Sequence, residues 1–170
     1  MDNMKELDKA IEILGEELVN KLREALRNAN KNSSGNLIKS VDYKIIKQAD
    51  ETILQILAAD YLEYVDEGVN GTEVNRGSQY GYGKKKMPNP KSLDKWIVRR
   101  GIAPRDKKGK FISRESVKFL IARSIGKNGI KGIHVVRKTI EEVYSKKQEL
   151  IAEAVSSDIE TMIDKIIIKK

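Results

Sequence analysis

Four carboxylates, Asp60, Glu63, Asp66 and Glu67, stand within eight residues, and paired carboxylates are the groups that hold divalent metals for hydrolysis. Such a site also needs a second acidic cluster with a lysine or histidine placed to work with it, and the sequence supplies none. The chain has one histidine, His134, and no cysteine, which excludes disulfides and thiolate metal sites and leaves little for an imidazole-bound zinc. The four carboxylates therefore read as a solvated acidic face or as ion-pair partners of the basic residues that follow, and His134 as a helix-start or packing residue. Gly81-Tyr82-Gly83-Lys84-Lys85-Lys86 has the look of a phosphate loop, but Gly77 and Gly83 are separated by five residues where a Walker loop has four, and Lys85 follows Lys84 where Ser or Thr belongs. Lys86 stands where the third glycine of a dinucleotide loop would be. No cofactor and no metal is expected. Tyr80 and Tyr82, interleaved with Lys84, Lys85 and Lys86, suit stacking on bases and pairing with phosphates. A loop that orders against a neighbouring subunit accounts for the same residues and is the preferred reading.

Charge is divided along the chain. Of 33 Lys and Arg, 18 fall between Lys84 and Lys138 against three acids, a local balance of +15, while the remainder balances at −7. Segregation of this kind favours binding a polyanion or an acidic protein face. The first residues carry acids at positions 2, 6, 8, 12, 16 and 17, unlike a signal peptide, and no apolar run approaches a membrane span. A product made in the cytoplasm, with no membrane partner, is expected. A length of 170 residues suits one domain, with 72–132 as a basic loop-and-helix insertion within it.

The elements that must position these residues are legible in the spacing. Met4, Leu7, Ile11, Leu14, Leu18, Leu22, Ala25 and Ala29 recur every three or four residues, one stripe of a long amphipathic helix. Ile38, Val41, Tyr43 and Ile45, then Ile53, Gln55 and Leu57, read as two antiparallel strands with Gln48 to Glu51 as their turn. Tyr61, Leu62, Tyr64 and Val65 fit a short helical turn that Gly68 stops. Asn89-Pro90 opens a helix through Leu93, Trp96 and Ile97 to Gly101. Ser113 opens another, with Val117, Leu120, Ile121, Ser124 and Ile125 on its buried face and Lys118, Arg123 and Lys127 in water. The connection from Gly101 to Ser113 is too long for a helix-turn-helix reader of DNA. Gly126, Gly129 and Gly132 mark a hinge, and a final helix follows that is expected to break near Ser156, where Ser157-Asp158-Ile159-Glu160 has the form of a capping box. The expected fold class is α/β (α+β), an antiparallel sheet packed by long N- and C-terminal helices with a basic helical insertion.

The phrase Tyr61, Tyr64, Val65, Asp66, Gly68, followed at a distance by Gly132, Ile133, Val136 and Ile140, resembles the neck or tail-completion proteins of tailed bacteriophages. The segment with Met87, Pro88, Pro90, Trp96, Ile97, Arg100, Gly101 and Ile102, then Phe119 to Arg123, Ile125, Gly129, Ile130 and Gly132, is similar to a variant of that family. The resemblance covers about half of the chain, roughly 60–143. It implies a structural virion protein without catalysis, a homo-oligomeric ring at the head-tail interface that meets portal, connector or tail proteins, with non-specific contact to packaged DNA as a further implication. Lys84, Lys85, Lys86, Arg99, Arg100, Arg105, Lys107, Lys108 and Lys110 are then the expected interface or DNA-facing residues, and Tyr61, Tyr64, Trp96 and Phe119 the packing anchors. The loop after Gly68 is richer in Gly and Lys than the family's pattern. The competing reading is a basic nucleic-acid-binding protein acting through 84–138.

Overall fold

The computed structural model describes residues 4–29, 34–48, 51–82 and 87–168. The elements in chain order are α1 (Lys5–Asn28), α2 (Asn36–Ser40), β1 (Asp42–Lys47), β2 (Thr52–Leu57), α3 (Leu62–Asp66), β3 (Gly68–Val69), a 3-10 turn (Pro90–Leu93), α4 (Asp94–Arg99), α5 (Arg114–Asn128), β4 (Ile130–Lys131) and α6 (Val136–Ile168). The described residues of 1–30, 36–59 and 135–170 form one unit, and those of 31–35 and 60–134 another. The chain is a mixed α/β fold, its antiparallel sheet packed by long N- and C-terminal helices.

In the first unit, α1 buries Ala10, Leu14, Leu18, Leu22 and Leu26; Leu14, Leu18 and Leu22 lie on the expected stripe, whereas Met4, Leu7, Ile11, Ala25 and Ala29 are only half-buried, and each buried leucine contributes about 1.5–3 kcal/mol. Leu14 and Leu18 meet Val143 of α6, with Leu54 and Ile56 of β2 and Ile151 packed around them. The helices run antiparallel, since Glu17 pairs with Lys147 at 3.0 Å while Leu7 lies at the level of Asp158. Strands β1 and β2 pair antiparallel from Asp42 opposite Leu57 to Lys47 opposite Thr52. Gly15 lets the Tyr43 ring lie on α1, because a Cβ there would stand 2.6 Å from the ring. Lys47 reaches back to Asp8 at 2.5 Å, and Arg23 donates to the Val41 carbonyl at 2.7 Å.

Two expectations for this unit are corrected. Ile38 lies in α2, where Leu37 and Ile38 are both buried, and the strand begins only at Asp42. The Ser40 hydroxyl sets that boundary: it donates to the Leu37 carbonyl and accepts from the Ala59 N–H, closing the turn against the end of β2. The expected break near Ser156 is absent, and α6 is one helix of 33 residues. Asp158 does not fold back on its own backbone. Its carboxylate accepts from the N–H groups of Glu6 and Leu7, at 3.2 and 2.9 Å, and caps α1. Met4, at the capping position of α1, has no side chain to do so. The Gln48 N–H donates to the Glu51 carbonyl at 2.8 Å; Ala49 and Asp50 of the predicted turn lie outside the described residues.

In the second unit, the Asn89 side chain accepts from the Lys91 N–H at 3.0 Å with Pro90 at the first helical position. The Ser113 hydroxyl accepts from the Ser116 N–H at 3.2 Å. Ile97 of α4 and Val117 and Ala122 of α5 are buried. Lys118, expected in water, is a correction: its side chain is 7% exposed and lies 3.4 Å from Asp94 and 2.5 Å from Glu115. The first acid of α4 needs a cation from α5, and Lys118 is placed to give it. The Glu115 hydrogen bond, then Asp94, holds the ammonium above its usual range.

Candidate functional site: a basic hairpin on a glycine staple

Gly68 of the tyrosine phrase and Gly129 to Gly132 of the glycine phrase are far apart in sequence and pressed together in the second unit, while Val136 and Ile140 of the same resemblance lie in α6 of the first. Strands β3 and β4 pair antiparallel, Gly68 opposite Lys131 and Val69 opposite Ile130. A Cβ on Gly71 would stand 2.5 Å from the Gly129 nitrogen, and a Cβ on Gly129 would stand 2.5 Å from the Gly71 nitrogen. Real side chains do not approach backbone so closely, so both positions require glycine. Gly68 is held at φ 78° and meets the Gly132 nitrogen in the same way. The expected hinge at Gly126, Gly129 and Gly132 is therefore corrected to a staple: Gly126 is buried inside α5, Gly129 ends it, and Gly132 packs on the backbone of Glu67. His134, exposed and at φ 52°, donates its N–H to the Asp66 carbonyl at 3.0 Å.

The staple carries the loop that follows. Asn70 organises it, donating to the Ser78 carbonyl and accepting from the N–H groups of Arg76 and Ser78. Arg76 donates to the Asn128 carbonyl at 2.9 Å, and Lys127 pairs with Glu73. Tyr80 lies against Tyr64 with ring centroids 4.3 Å apart, and its hydroxyl donates to Glu63 at 2.5 Å. That bond, with burial second, pushes the Tyr80 phenol up to about 12. One of the four clustered carboxylates is thus engaged with the loop. Among the described residues, no group of three or more metal-ligating side chains is placed to hold an ion.

Three expected packing anchors sit elsewhere than in a core. Tyr61, Tyr64 and Phe119 are 45%, 47% and 48% exposed, and the apolar interior of this unit comes from Val69, Ile97, Val117 and Ala122. Tyr64 anchors the loop through Tyr80 rather than the helices, and Phe119 lies on the open side of α5 with Leu120 and Ser124, two residues expected on its buried face and corrected here to exposed. Trp96 is half-buried beside Ile97.

Arg99 and Arg100 end α4, with Arg99 exposed at its last turn. After Gly101, at φ 61°, the chain enters a small hairpin where the sequence alone indicates only a basic turn. Arg105 bridges to Phe111, and the Ile112 N–H donates to the Pro104 carbonyl at 3.0 Å. Asp106 fixes the tip: its carboxylate accepts from the N–H groups of Lys108 and Lys110, both at 2.9 Å, and Gly109 takes φ 78°. The Arg105 guanidinium lies 3.7 Å over the Phe111 ring and donates to the Gly109 carbonyl, a stack that adds about 0.5–1 kcal/mol when exposed. Four of the expected contact residues, Arg105, Lys107, Lys108 and Lys110, thus share one braced hairpin and are exposed there. Lys84, Lys85 and Lys86 lie outside the described residues. The missed feature is Phe111, 59% exposed; an Asp followed three residues later by Gly, between an Arg and a Phe, is the turn signal that points to it.

The first unit has a surface of opposite sign. The outer side of α1 carries a shallow depression of about 400 Å³ lined by Ile13, Glu16, Glu17, Asn20, Lys21 and Glu24. Glu17 is held by Lys147 and Glu24 by Lys21, while Glu16 is exposed. No helix among the described residues is long and apolar enough to cross a membrane. In comparison with known proteins, no family model, no curated protein and no solved structure matches the chain.

Proposed function

We propose that the chain is a structural virion protein of a tailed phage, a ring-forming head-tail connector of the neck, tail-completion or tail-terminator kind, made in the host cytoplasm and carried at the junction of head and tail. The observation that carries this reading is the glycine staple. Gly68, from the first phrase of the resemblance, packs on Gly132, from the second, and Gly129 of the second packs on Gly71 of the loop, where the chain departs from the family's pattern; the two phrases thus meet backbone to backbone, as a shared framework requires and a chance likeness of two short phrases does not. Segregated charge gives the second support. A ring is built from a heterologous interface repeated by rotation, and that interface needs two complementary faces: here the basic hairpin of 105–111 and the acidic outer face of α1.

Electron microscopy of the purified protein tests the reading. Closed rings of one symmetry are expected at low salt, and particles that stay monomeric at micromolar concentration overturn it. The exposed Phe111 beside Arg105 and three lysines favours a second reading, a nucleic-acid contact through the same hairpin. That reading requires duplex affinity to fall steeply with salt, since each neutralised phosphate releases counterions; a flat salt response excludes it.

A further inference from the structure

The chain holds two Asn-Gly dipeptides, Asn70-Gly71 and Asn128-Gly129. The staple sets them face to face, the backbone of each glycine filling the space where the other's Cβ would stand. Asn-Gly is the sequence most open to spontaneous deamidation, because glycine has no Cβ to hinder attack by its own nitrogen. That nitrogen adds to the asparagine side-chain carbon, the bond from this carbon to Nδ2 breaks, and ammonia leaves with the proton from the glycine nitrogen. Water then opens the resulting succinimide at either carbonyl, giving aspartate or β-linked isoaspartate.

The two sites differ in what blocks the attack. The Asn70 side chain is spent on its own loop, donating to the Ser78 carbonyl and accepting from the N–H groups of Arg76 and Ser78. The Gly71 N–H is tied to the Val74 carbonyl at 2.9 Å, so freeing both groups means dismantling the loop. Asn128 is the exposed last residue of α5, its amide on the exposed Ser124 hydroxyl at 3.2 Å. The Gly129 N–H makes the last bond of that helix, to the Ile125 carbonyl at 2.8 Å, and helix ends open before helix centres. The staple keeps this end closed, through Gly71 against Gly129 and the Arg76 guanidinium on the Asn128 carbonyl. We infer that Asn128 is a site of spontaneous deamidation whose rate is set by opening of the staple, while the same dipeptide at Asn70 is shielded by its loop. The product works against the staple in turn. Isoaspartate adds a carbon to the backbone between α5 and β4, where the packing has no room for a Cβ, and either product sets a carboxylate at the C-terminal end of α5, which the helix dipole disfavours. Nothing in this depends on the connector reading.

The full chain is aged at mildly alkaline pH, both folded and in urea, then cut with trypsin, which cleaves after Lys127 and Lys131 and frees Asn128 in a short peptide. Mass spectrometry follows the amide-to-acid conversion at each site. Dividing each folded rate by the same site's rate in urea removes the effect of neighbouring residues. On that scale Asn128 is expected to convert at least about tenfold faster than Asn70. Gly71→Ala forces a Cβ into the staple and should raise the folded Asn128 rate toward its urea value, with far-ultraviolet dichroism as the control for helix content. Arg76→Ala, at an exposed position outside the close backbone contact, should raise it several-fold, and this variant decides the matter if Gly71→Ala loses its fold. Equal ratios at the two sites, a faster Asn70, folded Asn128 intact when the urea sample has fully converted, or an Asn128 rate unmoved by the folded variants overturns the inference.

Discussion

Tyr80 ties loop to helix by one proton. Its phenol, ordinarily near 10.0, is pushed up to about 12 chiefly because it donates to the Glu63 carboxylate. The protonated form is the one the fold favours, so the stabilisation is whole below pH 10.0 and is lost as pH rises through about 12. An absorbance titration of the six tyrosines is expected to show Tyr80 ionising last, after Tyr43 and Tyr82, which burial also raises, and Tyr80→Phe to remove that last step. A wild-type titration completed in the ordinary range would show that the bond does not persist in solution. Lys118 illustrates the same dependence on partners. Its acids sit one turn away on α5 and at the start of α4, and only the second, a tertiary neighbour, explains why a lysine in a basic segment is buried.

Asp158 shows where sequence pattern and structure part. As a local signal, Ser157-Asp158-Ile159-Glu160 reads as a helix start, yet the carboxylate serves the helix at the other end of the chain, 151 residues away for Leu7. Asp158→Ala strands the N–H groups of Glu6 and Leu7 and is expected to cost about 1–2 kcal/mol, with Asp158→Asn, which keeps one acceptor, costing less. Urea unfolding of the three proteins measures the order; equal stabilities would mean water replaces the cap without loss. Much of the frame was readable because its causes are local: the α1 stripe, the β1–β2 pair, and the caps at Asn89 and Ser113 each depend on residues a few positions apart. The glycine staple was only half readable, since the sequence marks the glycines but not that 68 and 71 are spent against 132 and 129. The exposed tyrosines at 61 and 64 misled for a related reason. Aromatic residues at helical spacing predict a core, and α3, five residues long with none buried, has no core to offer them.

At the scale of the whole molecule, the proposed ring stands or falls on the charges that the two units offer to other copies. Deleting 84–131 would be a poor probe, because it removes β4 and Gly129 and leaves β3 without its partner. Side-chain reversal is cleaner, since the hairpin is held by the Asp106 carboxylate, the Arg105 guanidinium and backbone bonds, not by lysine side chains. Lys107→Glu/Lys108→Glu/Lys110→Glu should therefore fold and fail to assemble. Glu16→Lys/Glu24→Lys on α1 should fail likewise, because it turns the acidic face toward the sign of the hairpin. If the two faces meet each other, a chain carrying all five changes has the complementarity reversed but intact, and it should form rings again. Raising salt should weaken wild type and five-fold variant alike, as the screening length falls from about 10 Å at 0.1 M to about 3 Å at 1 M. Microscopy and sedimentation of the three variants read the outcome. Rings in either partial variant would exclude this pair of faces, and failure of the five-fold variant to assemble, while folded, would assign the hairpin a partner other than α1.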